Sequence, residues 1–178
     1  IGLSSLPDHM KSFKKKFTEE ETAFFRKHVL TGVNMLKNQK FLPREVLLIV
    51  GGHHEMMDGS GYPLKLKADK IPNLVRIVAL ANEVDMELYP LNRGTEPLNI
   101  AQLIEKLPRM AGKYDPKMCA ALATYLEDFI LSNRVTLDDG RMAEIIWSHK
   151  SYKEPVVRTS EGEIIDLNKI TGLAIDNY

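Results

Sequence analysis

The sequence predicts an all-α helical body followed by a small C-terminal antiparallel β appendage. Stretches with apolar residues at helical spacing fill the first three quarters of the chain, and several begin with a capping residue or a proline. The last quarter instead alternates apolar and polar residues around Asp139-Gly140, which is typical of a β-hairpin. We therefore expect a helical domain over residues 1–132 and a β-hairpin extension over residues 133–178.

Five helices are predicted, most of them from a start signal as well as an apolar face. Thr18 and Glu21 have the spacing of a capping box, so a helix should begin there. Pro43 is suited to the first turn of the second helix. The third helix is apolar on nearly all sides, which predicts that it lies at the centre of the domain. The predicted ranges are 18–37, 43–54, 73–88, 98–107 and 116–131.

The C-terminal quarter is expected to form short strands over residues 143–149, 155–159 and 164–167. Trp147 is expected at the seam between this sheet and the helices. Cys119 lies in a stretch typical of a buried helix stripe, so we expect a structural thiol.

Composition restricts the classes of function. The 178 residues carry a formal net charge of zero, so no general attraction to nucleic acid or to an anionic membrane is expected. The single cysteine excludes an internal disulfide framework and fits a cytoplasmic protein. No apolar run is long enough to span a membrane. Because the chain begins with Ile1 and not with Met, and its first residues look like the interior of a domain, we expect it to be a piece of a longer protein.

The segment around His53 and His54 carries the clearest chemistry. Two adjacent histidines end the apolar run 46–50, and neutral imidazole is the commonest protein ligand of transition metals. Glycines follow at positions 59 and 61 and allow the chain to fold back over the histidines. Taken alone, a histidine pair of this kind is more often a surface pair at a helix end whose ring nitrogens are hydrogen-bonded and bind no metal.

The whole string makes the metal site the better interpretation. His53-His54-Glu55, followed by Asp58-Gly59-Ser60-Gly61-Tyr62-Pro63, resembles the signature of the HD-GYP family. That family is a branch of the HD metal-dependent phosphohydrolases and hydrolyses the bacterial messenger cyclic di-GMP. The resemblance covers roughly residues 1–130 and implies an HD-type helical fold.

The resemblance implies a set of metal ligands. His28, His53 and His54 match metal histidines of the family, and Asn82 stands where the family has its last metal aspartate. The His-Asp pair that names the family is expected immediately before Ile1. Such a site would hold a divalent transition metal, namely Fe, Mn, Ni or Zn, because mixed nitrogen and oxygen ligands suit these ions.

Three departures from the family pattern predict a degenerate site. Asn82 offers a neutral amide oxygen where a carboxylate is expected, so we expect only one bound ion, or none. Leu3 replaces a lysine that would face a phosphate, and residues 90–93 lack the arginine-rich pattern of many members. We therefore predict weak or absent phosphodiesterase activity. An active metal-dependent phosphodiesterase that hydrolyses cyclic di-GMP is the alternative.

If the site is not catalytic, we expect the loop that contains Gly61, Tyr62 and Pro63 to carry the function. Gly61, Tyr62 and Pro63 are predicted to contact a cyclic dinucleotide or a protein partner, with an exposed Tyr62 ring that stacks on a purine or on the partner. Glu55 is expected to orient a histidine ring or to face water. A purely structural helical module with a chance histidine pair is the third interpretation.

Overall fold

The computed structural model of this chain describes residues 1–11, 17–91, 95–132, 134–147, 155–170 and 172–177. Residues 92 and 93, on which one predicted departure rests, lie outside the described residues. The chain divides into two compact units: residues 1–97 with 110–119, and residues 98–109 with 120–178. The first unit is helical and the second holds the β-sheet, so the predicted fold class is confirmed.

The first unit begins with a 3₁₀ helix, Gly2–Ser5, and a short helix α1, Asp8–Lys11. The 3₁₀ helix packs against the backbone of the residues that follow His28. A Cβ atom at Gly2 would lie 1.9 Å from the carbonyl oxygen of His28, so only glycine fits at this position. The Ile1-Gly2 segment is therefore held directly beside the first predicted metal histidine.

The helix predicted over residues 18–37 is two helices, α2 at Glu19–Arg26 and α3 at His28–Leu36. The capping box of Thr18 and Glu21 is present, with a bond of 3.1 Å from the Glu21 N–H to Thr18 Oγ1. The prediction of one continuous helix was wrong because the chain turns at Lys27. At that turn the Phe25 carbonyl oxygen accepts a hydrogen bond of 2.7 Å from His28 Nδ1.

Two further helices complete the site-bearing part of the first unit. α4 spans Arg44–Gly52 and α5 spans Asn73–Leu88, each with a proline as its N-cap residue. α5 was predicted to be buried on nearly all sides, but one of its faces is exposed. Leu74 and Ile77 are each 50% exposed, whereas Val75, Ala79 and Leu80 form its buried face. A 3₁₀ turn, Ala68–Lys70, lies between α4 and α5.

The second unit has its own apolar core. α6 spans Ile100–Met110 and α7 spans Pro116–Ser132, and the unit holds most of each helix. In the described residues after α7, five antiparallel strands pair in the spatial order β4-β3-β2-β1-β5. Apolar side chains of α6, α7 and the sheet form one cluster that includes Leu137, Ile145 and Val157. The strands are β1 Arg134–Leu137, β2 Met142–Trp147, β3 Val156–Thr159, β4 Ile164–Asp166 and β5 Ile175–Asn177.

Two details of the sheet differ from expectation. Trp147 is 51% exposed and not a buried seam residue, because the pairing register of β2 with β3 shifts between Ile145 and Trp147 and reverses the alternation. The short strand β5 was not predicted. The predicted hairpin at residues 139–140 is confirmed, and the helical part ends at Ser132 as expected. A domain boundary after residue 132 stays a prediction, since the second compact unit also contains helical residues.

None of the helices in the described residues has both the length and the apolar character needed to cross a bilayer. Cys119 is buried, as predicted for a structural thiol, and burial raises its pKa.

Candidate metal centre

Two of the three predicted histidines are anchored in the same way. His28 Nδ1 lies 2.7 Å from the Phe25 carbonyl oxygen, and His53 Nδ1 lies 2.9 Å from the Val50 carbonyl oxygen. A carbonyl oxygen only accepts, so each Nδ1 must carry the proton and donate it. Each backbone contact therefore fixes a ring tautomer in which Nε2 has a free lone pair.

The two free lone pairs face each other. His28 Nε2 and His53 Nε2 are 3.3 Å apart, and His28 is 6% exposed. Two acceptors at this distance in a shielded place repel each other unless a cation lies between or beside them. Two nitrogens bound tetrahedrally to one ion at about 2.0–2.1 Å would be roughly 3.3–3.4 Å apart. The observed spacing therefore fits two imidazoles that share one ion.

His54 completes the cluster. One ring nitrogen from each of His28, His53 and His54 lies within 4.8 Å of the other two. The structure thus brings the three predicted histidines together, as the sequence spacing implied. The described part of the chain offers this one group of three potential ligands of the His, Cys, Asp and Glu types. Three imidazoles with further positions open is a donor set that suits Zn, Fe, Mn or Ni.

The histidines are held neutral. Burial lowers the pKa of His28 and of His53. The pKa of His54 is lowered to about 3, first by burial and then by the nearby charges of His53, His28 and Arg26. Neutral imidazole is the form that binds a metal, so the cluster is ready for an ion at neutral pH.

Tyr62 was predicted to lie in solvent, but its ring lies against the histidine cluster. Its ring stacks on the His54 ring, with centroids 4.6 Å apart and an angle of 16° between the planes. The Arg26 guanidinium lies over the Tyr62 ring, 5.0 Å from its centroid. Burial also raises the pKa of the Tyr62 phenol. The expectation of an exposed ring was wrong because the loop folds back onto the helix end.

The loop conformation is set by Glu55 and Gly61. Glu55 is 2% exposed, and its two carboxylate oxygens accept bonds from the Leu64 N–H at 2.6 Å and the Leu66 N–H at 2.8 Å. Glu55 thus neither orients a histidine ring nor faces water, which corrects the prediction. A Cβ atom at Gly61 would lie 2.3 Å from the Met56 nitrogen, so the loop can close only with glycine there. Pro63 follows a cis peptide bond.

Asn82 lies on α5 and is partly buried. It follows Val75 by seven residues, which places both on one face of the helix. Val75 packs against Gly52, where a Cβ atom would lie 2.7 Å from its side chain, so this face of α5 approaches the end of α4. A role for Asn82 as a ligand stays a prediction. Leu3 is exposed in the first 3₁₀ helix.

Comparison with known proteins identifies the family. The HD domain family matches residues 1–118. The chain is 33% identical over 141 residues to the 3'3'-cGAMP-specific phosphodiesterase 2 of Vibrio cholerae serotype O1. The fold resembles that of Bd1817, a HDG"Y"P protein from Bdellovibrio bacteriovorus, with a TM-score of 0.57 and 23% sequence identity. This chain belongs to the HD-GYP family.

The HD-GYP match covers most of this chain but a minor part of its relatives. The Vibrio alignment covers 78% of this chain and 27% of the relative. A cyclic di-GMP phosphodiesterase of Pseudomonas aeruginosa is 27% identical over 161 residues, which are 89% of this chain and 38% of that protein. The Bdellovibrio structure is covered to 40% and this chain to 71%. HD-domain phosphohydrolases bind divalent metals, and the histidine cluster is consistent with that property.

Sequence reasoning missed two parts of this HD-GYP site. Arg26 was not singled out, although it stands two residues before the predicted metal ligand His28, because its contact with Tyr62 depends on the folded loop. The backbone anchors at Phe25 and Val50 were also missed. Each anchor lies three residues before its histidine, so a histidine ring that donates to the backbone carbonyl three residues earlier was a signal that the sequence offered.

Proposed function

We propose that this chain is part of a cytoplasmic cyclic di-GMP signalling domain with weak or absent phosphodiesterase activity, which acts by binding nucleotide or protein. The three converging imidazoles carry the proposal, because they form a metal-ready group at the position of the family motif. The names of the relatives, phosphodiesterases of cyclic di-GMP and of 3'3'-cGAMP, support a cyclic dinucleotide as the ligand.

One transition metal ion would be held by His28, His53 and His54, with Asn82 as a weak fourth donor. Such an ion supplies positive charge that binds and polarises a phosphate oxygen. Elemental analysis of purified full-length protein should find at most one tightly bound Fe, Mn, Ni or Zn ion per chain. Two or three ions per chain would contradict this part of the proposal.

The proposed weakness of catalysis rests on two side chains that lack charge. The Asn82 amide is neutral where the family has a carboxylate, and Leu3 cannot neutralise a phosphate. Single electrostatic groups of this kind contribute about 10²- to 10³-fold to a rate, so the loss of two could reduce turnover to near background.

The test is hydrolysis of cyclic di-GMP by full-length protein loaded anaerobically with Fe(II) or Mn(II). We expect turnover well below about one per second, an ordinary rate for an enzyme. The Asn82→Asp variant should hydrolyse faster than the parent and should carry more metal. Turnover above one per second in the parent would refute the degenerate site.

An active phosphodiesterase is the second candidate, and a specific observation favours it. The three histidines are not only retained in sequence but are placed at a spacing that fits a shared ion. An intact His-Asp pair immediately before Ile1 in the full-length protein would favour the enzyme. The hydrolysis assay separates the two candidates directly.

A protein partner, if one binds the Gly61-Tyr62-Pro63 loop, is proposed to contact Pro63 and not the stacked Tyr62 ring. Pro63 and Leu64 line an apolar groove of about 440 Å³, and Leu64 is 68% exposed. Leu64→Ser should weaken binding of a partner while the metal content stays at the parent level. Tyr62→Ala should reduce both, because its ring supports His54 and holds the loop that carries Pro63 against the cluster. The proposal fails if Leu64→Ser leaves every measured interaction of the full-length protein unchanged.

A further inference from the structure

Two neighbouring cations, Arg26 and Lys27, each lie over an aromatic ring, but the two rings differ in their surroundings. The Lys27 ammonium is 5.5 Å from the centroid of the Phe24 ring, which lies on the adjoining helix α2. The Arg26 guanidinium is 5.0 Å from the centroid of Tyr62, whose ring stacks directly on His54. Arg26 is therefore the cation whose aromatic support belongs to the histidine cluster.

Arg26 has the properties of a ligand-binding residue. It is exposed, and it takes part in no ion pair within the residues that the structure describes. Arg76, by contrast, is committed to the fold, because it bonds the Ile71 and Ala68 carbonyls and pairs with Asp115 at 3.2 Å. A guanidinium that lies over an aromatic ring keeps its N–H groups at the edge, where they can donate to an anion.

The position of Arg26 also couples it to the proposed metal. The Tyr62 ring that Arg26 lies over stacks on His54, with ring centroids 4.6 Å apart, so the guanidinium is held next to the cluster through a single intervening ring. An anion bound beside the histidines would thus meet a metal ion on one side and Arg26 on the other. Arginine is the residue best matched to a phosphate, since its planar fork can donate two parallel bonds.

We propose that Arg26, held over Tyr62, binds a non-bridging phosphate oxygen of a cyclic dinucleotide at the histidine cluster. This inference rests on the proposed function and adds a specific residue to it. Arg26 would supply the cation that Leu3 does not supply, but from α2 and not from the first 3₁₀ helix. Arg26 would be a binding residue for the phosphate and not a ligand of the metal.

The experiment compares Arg26→Gln with Lys27→Gln in full-length protein loaded with Mn(II). Both changes remove one exposed positive charge, and the two positions are adjacent, so Lys27→Gln is a matched control. Calorimetric titration with cyclic di-GMP, and separately with inorganic phosphate, measures the affinity for each probe. Elemental analysis of every variant checks that the metal content equals that of the parent.

For Arg26→Gln we expect about a ten- to hundredfold loss of affinity for both probes, the usual effect of a lost charged hydrogen bond. Lys27→Gln should stay within about twofold of the parent. Arg26→Lys should fall between the two, because lysine keeps the charge but loses the planar fork. The loss in Arg26→Gln should shrink at high salt, where phosphate binding is screened.

Each contrary result overturns a specific part of this assignment. Unchanged affinity in Arg26→Gln, an equal loss in Lys27→Gln, or loss of the metal in Arg26→Gln would overturn direct contact. A loss for cyclic di-GMP with unchanged phosphate affinity would place Arg26 on another part of the nucleotide and overturn the phosphate contact. Failure of the parent protein to bind either cyclic di-GMP or inorganic phosphate would also overturn the phosphate contact. If the parent binds phosphate through Arg26 but not cyclic di-GMP, the inference about Arg26 stands and the proposed nucleotide ligand fails.

Discussion

The histidine cluster and the loop that follows it both place polar groups in shielded positions at the end of α4, but only the loop satisfies them within the protein. In the loop, both carboxylate oxygens of Glu55 accept backbone N–H groups. In the cluster, the Nδ1 atoms of His28 and His53 are bonded, whereas their Nε2 atoms face each other at 3.3 Å. A buried polar group whose bonds are complete stabilises the fold, and one left incomplete indicates a site for a ligand. This contrast distinguishes a residue that stabilises the fold around the site, Glu55, from the histidines that are available to bind a ligand.

The largest effect is expected where the loop loses its internal acceptor. Glu55→Ala would leave the Leu64 and Leu66 N–H groups without their carboxylate partner. Each of the two orphaned groups costs about 1–3 kcal/mol, so the free energy of unfolding should fall by roughly 2–6 kcal/mol. Urea denaturation measures this fall. Glu45→Ala, at an exposed position in the first turn of α4, is the control and should change the free energy by less than about 1 kcal/mol.

A somewhat smaller effect is expected at Gly61. In Gly61→Ala the new methyl group would lie 2.3 Å from the Met56 nitrogen and 2.5 Å from the His54 carbonyl oxygen, and backbone atoms cannot move away cheaply. We expect a loss of about 2–3 kcal/mol in the free energy of unfolding. Gly51→Ala is the matched control, because its methyl group would meet a single neighbouring atom, a Val33 side-chain carbon at 3.3 Å, and no backbone atom. Equal losses in the two variants would show that the loop is not closed as described.

The cluster should behave in the opposite way, with a small effect on folding and a large one on metal binding. His28→Ala removes one of three ligands, so the affinity for Zn(II) or Mn(II) should fall at least about a hundredfold. His9→Ala, on the exposed face of α1, should leave the affinity unchanged. At a metal concentration of 100 times the parent's dissociation constant, the ion should stabilise the parent by about 2.7 kcal/mol and the His28 variant hardly at all. Equal stabilisation of both proteins by metal would remove His28 from the site.

The sequence allowed the cluster to be predicted better than the loop. Histidine positions, the capping box at Thr18 and the helix at residues 73–88 depend on local signals or on motif spacing, and the structure agrees with them. The stacking of Tyr62 on His54 depends on contacts between segments that no local pattern encodes. The exposure of Trp147 depends on a shift in register against β3, which alternation along one strand cannot reveal. Features that depend on local sequence could thus be predicted, whereas contacts between segments distant in sequence could not.

The smallest effect is the pH dependence that the cluster adds to stability. The pKa of His54 is lowered from 6.5 to about 3 in the folded protein, so the unfolded chain binds the proton more readily. The free energy of unfolding contributed by this group is complete above pH 6.5 and is lost as the pH falls below that value. After allowance for solvent screening of a partly exposed ring, His54 should account for about 1 kcal/mol of loss at pH 5.5.

Urea denaturation at pH 7.5, 6.5 and 5.5 tests this dependence in the parent and in His54→Gln, which cannot titrate. A chelator must be present, since a bound ion would add its own pH dependence when protons compete for the imidazoles. His28 and His53, whose pKa values are also lowered, contribute in the same direction and remain in both proteins. The difference between the two pH profiles therefore isolates His54. If the profiles are parallel from pH 7.5 to 5.5, then His54 is as free to take up a proton in the folded protein as in the unfolded chain, and the shielded cluster is disproved at that position.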